Sequence, residues 1–361
     1  MKKAIAILLM LVMALSFTAC GGNTAEEEPV DDSIPVAMIS GSKDVNDGSF
    51  NQAIWESIEN MCAEREINCS YYIPEKQKKK AYKASVQEAV DAGAKIVFMA
   101  GSNFETAAYD LQKKYEDVYF VVIDGVPHDK DKDYKVSENS LGVLFAEEEA
   151  GFMAGYAAVV EGYTSLGFMG GKDDPSVKRY GAGFVQGINA AVKDNGLKGK
   201  DFSIKYSYMG TYDESKAVRK EAAKWFKDGT EVIFACGGAM GKSVMKAAEE
   251  NDGKVIGVDV DQSSLSGTVI TSAEKNIALS VEDILKDFDG SRLTGGTIYT
   301  YSTKNEGVGL TIDPAKMTVF TQEMYDELYK QVADGTYKIK KDAKVKSVKK
   351  LVKGGIDIDI I

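Results

Sequence analysis

Apolar and polar residues along the chain follow two alternating rhythms. Short apolar strands are expected at 35–40, 68–73, 95–100 and 119–123, and again near 165–169, 203–208, 231–236 and 255–259, with 68–73 and 203–208 interrupted by polar residues. Runs of this length suit strands buried on both faces, as in a parallel sheet. Between them lie stretches with helical spacing of apolar positions, at 51–64, 79–92, 104–115, 147–161, 176–194, 213–228 and 239–250. Beyond Asp259 the pattern offers a strand at 267–271, a helix at 275–289, a strand at 297–302 and a helix at 321–334. Strands joined by helical crossovers predict an α/β fold whose parallel sheets carry helices on both faces.

The pattern also repeats. Asp91-Ala-Gly93-Ala-Lys95 running into Ile96-Val-Phe-Met-Ala-Gly101 matches Lys227-Asp228-Gly229-Thr-Glu231 running into Val232-Ile-Phe-Ala-Cys-Gly237, and the paired glycines stand 136 residues apart. Asp124 and Asp259, each ending an apolar run, are 135 apart; Phe50 in Gly48-Ser-Phe-Asn51 and Phe184 in Gly183-Phe-Val-Gln186 are 134 apart. Two similar halves, each aiming an aromatic ring and a carboxylate from strand-end positions, predict two Rossmann-like lobes around a ligand cleft. The expected first lobe is 35–130 plus 262–293, the second 131–261 plus 294–345, with a tail at 346–361. Hinge crossings are expected near 125–140, 260–266 and 290–296.

The N-terminus sets the compartment. Lys2-Lys3 precedes an apolar run from Ala4 to Phe17, which ends in Thr18-Ala19-Cys20. The run is short for a bilayer span, and small residues before a cysteine predict a bacterial lipoprotein signal peptide over 1–19, with Cys20 acylated. Phe17 departs from the aliphatic residue usual there, and an ordinary signal peptide is the alternative. Several acyl chains would hold the protein at the membrane far better than one. Residues 20–34, polar and acidic, read as a flexible tether. The folded part is thus expected on the extracytoplasmic face of a cell membrane.

Charge narrows the partners. The 361 residues carry 44 Lys and Arg against 55 Asp and Glu, a formal net charge of −11. That balance argues against nucleic acid, which needs clustered cations. The basic stretch from Lys340 to Lys353 alternates with Val and Leu and reads as a solvated edge or final strand. The single histidine, His128, leaves no choice of Ser-His-Asp partners and no histidine metal site. With Cys20 acylated, Cys62, Cys69 and Cys236 remain, an odd number that supports no full disulfide framework. Cys62 and Cys69 either pair across a helix-to-strand turn or stay thiols.

Ligands of open parallel sheets bind beyond the carboxyl ends of strands. Phe50 and Phe184 each have a core-packing reading, but their matched offset favours two rings sandwiching a planar ligand. Asp124 and Asp259 are acceptor-only when ionised and suit donors such as ring N–H groups or a diol; helix capping is the plain alternative. Lys275 is either a complement to these carboxylates or a surface residue. Gly237-Gly-Ala-Met-Gly241-Lys242-Ser243 lacks the spacing of a phosphate loop.

Several segments together resemble a known family. They are Asn46-Asp47-Gly-Ser-Phe50-Asn51-Gln52, Glu149-Ala-Gly-Phe-Met-Ala-Gly155, Gly167-Phe-Met-Gly-Gly171, Arg179-Tyr-Gly-Ala-Gly-Phe184 and Val255-Ile-Gly-Val-Asp-Val-Asp-Gln262. From about Pro35 to Gly309 the chain is similar to the basic membrane protein family of substrate-binding lipoproteins. PnrA-like members of that family bind purine nucleosides for an ABC importer. The resemblance implies the type I periplasmic-binding-protein fold, with Phe50 and Phe184 stacking on a purine and Asp124 bonding the base edge. It also implies Asn46, Asp47 and Asn51 along the first lobe's loop, and Gly238, Asp259 and Lys275 at the ribose. Gly48 and Tyr180 depart from the Lys and Phe common there. The expectation is a non-enzymatic, monomeric receptor without cofactor or metal, handing its ligand to a membrane permease. A sugar receptor of the same fold, an exported nucleoside hydrolase, and a sensor or surface adhesin with no transport partner are the alternatives.

Overall fold

Several strands at the centre of the sheets are apolar end to end because helices cover both of their faces. β1 (Val36–Ile39), α1 (Phe50–Glu64), β2 (Cys69–Tyr72), α2 (Lys79–Asp91), β3 (Ile96–Ala100), α3 (Glu105–Leu111), β4 (Tyr119–Ile123) and β5 (Ser140–Phe145) build most of a first lobe. The chain then crosses to a second lobe for α4 (Glu147–Val160), β6 (Ser165–Gly170), α5 (Pro175–Asp194), β7 (Ser203–Tyr208) and α6 (Lys216–Lys227). There it continues through β8 (Val232–Cys236), α7 (Met240–Glu250), β9 (Lys254–Asp259) and β10 (Val269–Lys275). It returns for α8 (Ile277–Asp289) and β11 (Thr297–Tyr301), and leaves again for β12 (Val308–Leu310), α9 (Gln322–Ala333) and β13 (Asp357–Ile360). This computed structural model describes residues 35–361 except 132, 290 and 342–344. The expected leader, Cys20 and tether lie outside the described residues.

The first sheet has the order β11-β5-β4-β3-β1-β2 and the second β12-β10-β9-β8-β6-β7-β13. All pairings are parallel except β10 with β12. Every residue of β1, β3 and β8 is buried, as expected of central parallel strands. One buried cluster runs from Val36 and Phe98 through Phe145 and Met153 to Phe184 and Phe234, so the lobes share apolar packing at the hinge.

The expected lobe boundaries need correction. β10 lies in the second sheet and β11 in the first, the reverse of the expected assignment of 262–293 and 294–345. β5, assigned with 131–261, completes the first sheet, and the supposed tail supplies β13 on the edge of the second. The crossings therefore fall at 145–147, 275–277 and 301–308 rather than near 125–140, 260–266 and 290–296. Apolar periodicity identifies a strand, but the sheet it joins depends on partners distant in sequence. The strand expected at 267–271 runs on to Lys275, so α8 begins at Ile277.

The glycines of two recognised segments serve packing. A Cβ on Gly151 or Gly155 of α4 would stand 2.2 Å from the carbonyl oxygen of Tyr180 or Phe184 on α5. One on Gly183 or Gly187 of α5 would stand 2.1 or 1.9 Å from the carbonyl oxygen of Glu148 or Phe152 on α4. The two helices touch backbone to backbone beside the first crossing. Between α1 and β2, the Cys62 side chain bonds the Cys69 thiol and holds its pKa below the usual value; no disulfide joins them.

Candidate functional site

Strand ends from both sheets open onto one interlobe cleft. Asp124 closes β4 and Asp259 closes β9, both in the left-handed region, with φ of 61° and 69°. Aspartate tolerates that conformation better than most residues, and such strain gathers at functional sites. The loop before α1 enters from the first lobe. There Asp47 accepts from the backbone N–H of Ser49, Asn51 and Gln52 and from Asn51 Nδ2, at 2.9–3.2 Å. Asn51 Oδ1 in turn accepts from Gly41 N at 2.9 Å. Burial pushes the Asp47 carboxyl above its usual pKa against these bonds. Asp47 and Asn51 therefore line the cleft while holding the turn that presents Phe50.

Lys275, at the second crossing, joins the halves electrostatically. Its Nζ lies 2.5 Å from Asp124 Oδ2, 3.2 Å from Glu147 Oε1 and 3.6 Å from Asp259 Oδ1, with its side chain 1% exposed. The rings of Phe50, Phe145 and Tyr180 surround the ammonium at 5.0–5.5 Å. Burial works against the Lys275 charge, but the three carboxylates hold its pKa above the ordinary lysine value. Arg179 Nε bonds Glu147 Oε2 at 2.5 Å. Against burial, Arg179 and Lys275 keep the Glu147 carboxyl below its usual pKa. Burial, helped by Glu147 and Asp259, pushes Asp124 up to about 6 although Lys275 opposes it. Asp124 Oδ1 is buried without a hydrogen-bond partner.

Asp47, Phe50, Asn51, Asp124, Gly238, Asp259 and Lys275 line this cleft, which holds about 720 Å³ of space outside the protein atoms. Two expected residues do not. Asn46 is exposed at the rim, where its backbone N–H donates to Asp44 Oδ1 at 2.9 Å and its carbonyl accepts from Lys242 Nζ at 3.2 Å. Phe184 is fully buried inside the second lobe, its ring centroid 5.4 Å from Phe234 and 6.4 Å from Phe168. The correction has a simple cause: α5 meets the cleft with its first turns, where Ser176, Val177 and Tyr180 line it. A rise of about 1.5 Å per residue takes Phe184 a turn deeper into the core.

The second lobe's rings at the cleft are Tyr180 and Tyr212. Tyr180 donates to the Ala273 carbonyl at 3.3 Å, and Tyr212 to Asp174 Oδ2 at 2.6 Å. A Cβ on Gly171 would stand 2.5 Å from the Tyr212 ring, so only glycine leaves that ring its place. The sequence carried a signal for Tyr212. Gly210-Thr-Tyr212-Asp213 follows β7 as Gly48-Ser-Phe50-Asn51 follows the β1 loop, each a glycine, a hydroxyl residue, an aromatic and an Asp or Asn.

The lobes also meet across the cleft mouth. Ser49 Oγ donates to Asp259 Oδ2 at 2.7 Å, Gln262 Nε2 to the Gly48 carbonyl at 2.8 Å, and Lys43 Nζ to Asp213 Oδ2 at 3.0 Å. These bonds describe a closed arrangement, with acceptors and rings turned on an interior space.

Comparison with known proteins agrees with this architecture. The chain resembles the ABC transporter nucleoside-binding protein BmpA of Lactococcus lactis subsp. cremoris, with 27% identity over 353 residues, covering 92% of this chain and 95% of the relative. It also resembles Basic membrane protein A2 of Borrelia garinii subsp. bavariensis, with 25% identity, 90% and 93% covered. Among solved structures, an ABC transporter solute-binding protein from Aeropyrum pernix K1 superposes with a TM-score of 0.74 at 18% identity, covering 90% of this chain and 98% of that one. A transcriptional activator of the comK gene from Bacillus halodurans gives a TM-score of 0.65 at 18% identity, with 85% and 100% covered, so this likeness speaks for the fold alone. These neighbours bear out the expected type I fold. No described helix is long and apolar enough to cross a membrane. The model of the Bmp family, "ABC transporter substrate-binding protein PnrA-like", matches residues 34–352, and the chain belongs to this family of extracytoplasmic binding proteins, which are receptors and not enzymes.

Proposed function

We propose that the chain captures a purine nucleoside between its lobes and delivers it to the permease of an ABC importer. The observation that carries this reading is the unpartnered, buried Oδ1 of Asp124 in a cleft lined by Phe50, Tyr180 and Tyr212. A buried acceptor left unpaired is costly, and a base-edge N–H would satisfy it. Aromatic stacking contributes about 1–3 kcal/mol per base in other systems. Asp259 is the acceptor for a ribose diol. Four aspartates and one lysine line the cleft, a charge balance that favours an uncharged nucleoside over a phosphorylated one. The name of the lactococcal relative, a nucleoside-binding protein, supports the same class. Mass spectrometry of the small molecule released on denaturing the purified protein tests the reading. A purine nucleoside mass supports it, and a sugar in its place contradicts it.

The same proposal places the receptor, as a monomer, at the membrane through acylated Cys20. Cys20→Ser should move the protein from the membrane fraction to the medium or periplasm; retention in the membrane fraction would refute the anchor.

A further inference from the structure

A trough on the second lobe has the opposite charge character to the chain as a whole. Its lining includes Lys193, Lys338, Lys340, Lys350 and Lys353 and contains no Asp or Glu, in a chain whose net charge is −11. All five of these lysines are exposed. The trough lies along the C-terminal half of α5, whereas the cleft takes the first turns of that helix. At about 1.5 Å per residue, Lys193 lies some 20 Å along the axis from Tyr180.

The walls are built rather than incidental. Gln186 donates to the Lys340 carbonyl at 2.8 Å and accepts from Lys340 N at 2.9 Å. Asn189, one turn on, donates to the Leu351 carbonyl at 2.9 Å and accepts from Lys353 N at 2.9 Å. Two side-chain amides on one helix thus clamp two lysine-bearing segments, as a neighbouring strand would. Phe152 and Tyr337, with ring centroids 4.8 Å apart, also line the space.

We propose that this trough binds a linear, phosphate-bearing polyanion of the cell envelope. Five exposed lysines around one concave space, with no acidic residue in its lining, give it a positive potential that attracts polyanions. Lysine suits phosphate as a mobile point charge. A planar lipid surface does not enter a trough lined from several sides. An acidic peptide adding as a strand would need backbone groups that Gln186 and Asn189 already occupy.

Fluorescence anisotropy with end-labelled inorganic polyphosphate tests the proposal, comparing the full chain with a Lys340→Gln, Lys350→Gln, Lys353→Gln variant. Wild type should bind saturably at low salt and lose affinity as salt rises. The variant should bind about a hundredfold more weakly, each lysine near an anionic surface counting for roughly fivefold. Its thermal midpoint should be unchanged. Failure of the wild type to bind, or equal binding by the variant, overturns the proposal. Preference for polyglutamate of equal charge, or for vesicles of anionic phospholipid, overturns it in favour of a peptide or a membrane.

Discussion

Lys275 holds one positive charge against three buried carboxylates, and removing it would leave those charges facing one another. Losing one member of such a network costs about 3–5 kcal/mol, because the remaining charges stay buried without compensation. Lys275→Met is therefore expected to lower unfolding stability by about that amount in urea titrations of the ligand-free protein. Tyr212 and Phe184 separate binding from packing. Phe184→Ala should destabilise the fold by about 3–5 kcal/mol and leave the ligand affinity of the folded protein nearly unchanged. Tyr212→Ala should weaken purine nucleoside binding tenfold or more with a small change in stability, as read by calorimetry and thermal melting. Asp124 and Asp259 were legible because a repeat placed them at strand ends, and Phe50 because it follows a Gly-Ser turn at the start of a helix. Phe184 misled because its sequence offset matches while its turn of α5 lies below the cleft surface. Tyr212 was hidden because its repeat partner stands after a different strand.

The α4–α5 pair couples packing to protonation. Glu148 begins the contact with Gly183, and its Oε2 is buried without a partner. Burial, reinforced by the neighbouring Glu147 charge, pushes its carboxyl up to about 7. A carboxyl with a raised folded-state pKa binds its proton more tightly in the folded protein. It therefore stabilises the fold below about pH 4.5, and that contribution is lost as pH rises through 7. Glu148→Gln should retain stability between pH 5 and 7.5 that the wild type loses, by up to about 3 kcal/mol. Thermal midpoints across that range measure it, and parallel curves for the two proteins would remove Glu148 as the cause. At this scale the central strands and most helices were readable from apolar runs. β5 was not, because Ser140–Phe145 runs straight into the Ala146-Glu147-Glu148-Glu149 start of a helix. β13 was missed because Asp357-Ile-Asp-Ile360 is a short, half-exposed edge strand in a segment that otherwise reads as a polar tail.

The whole molecule is two lobes joined by three crossings, with Lys275 at the second and Glu147 at the first. A ligand closes such a hinge only to the extent that it binds the closed form better than the open one. Here the differential contacts are available: Phe50 and Asp124 come from one lobe, Tyr180, Tyr212 and Asp259 from the other. The two-lobed plan was visible in the offset of about 135 residues, because duplication preserves strand ends. The path between lobes was not, because each crossing is only a few residues long and has no apolar signature of its own. Calorimetric titration of ligand-stripped protein with guanosine and, separately, ribose bears most directly on the central claim. Saturable one-to-one binding of guanosine, roughly micromolar or tighter, with no heat from ribose, is the expected result. Saturation by ribose with no response to any purine nucleoside would contradict it.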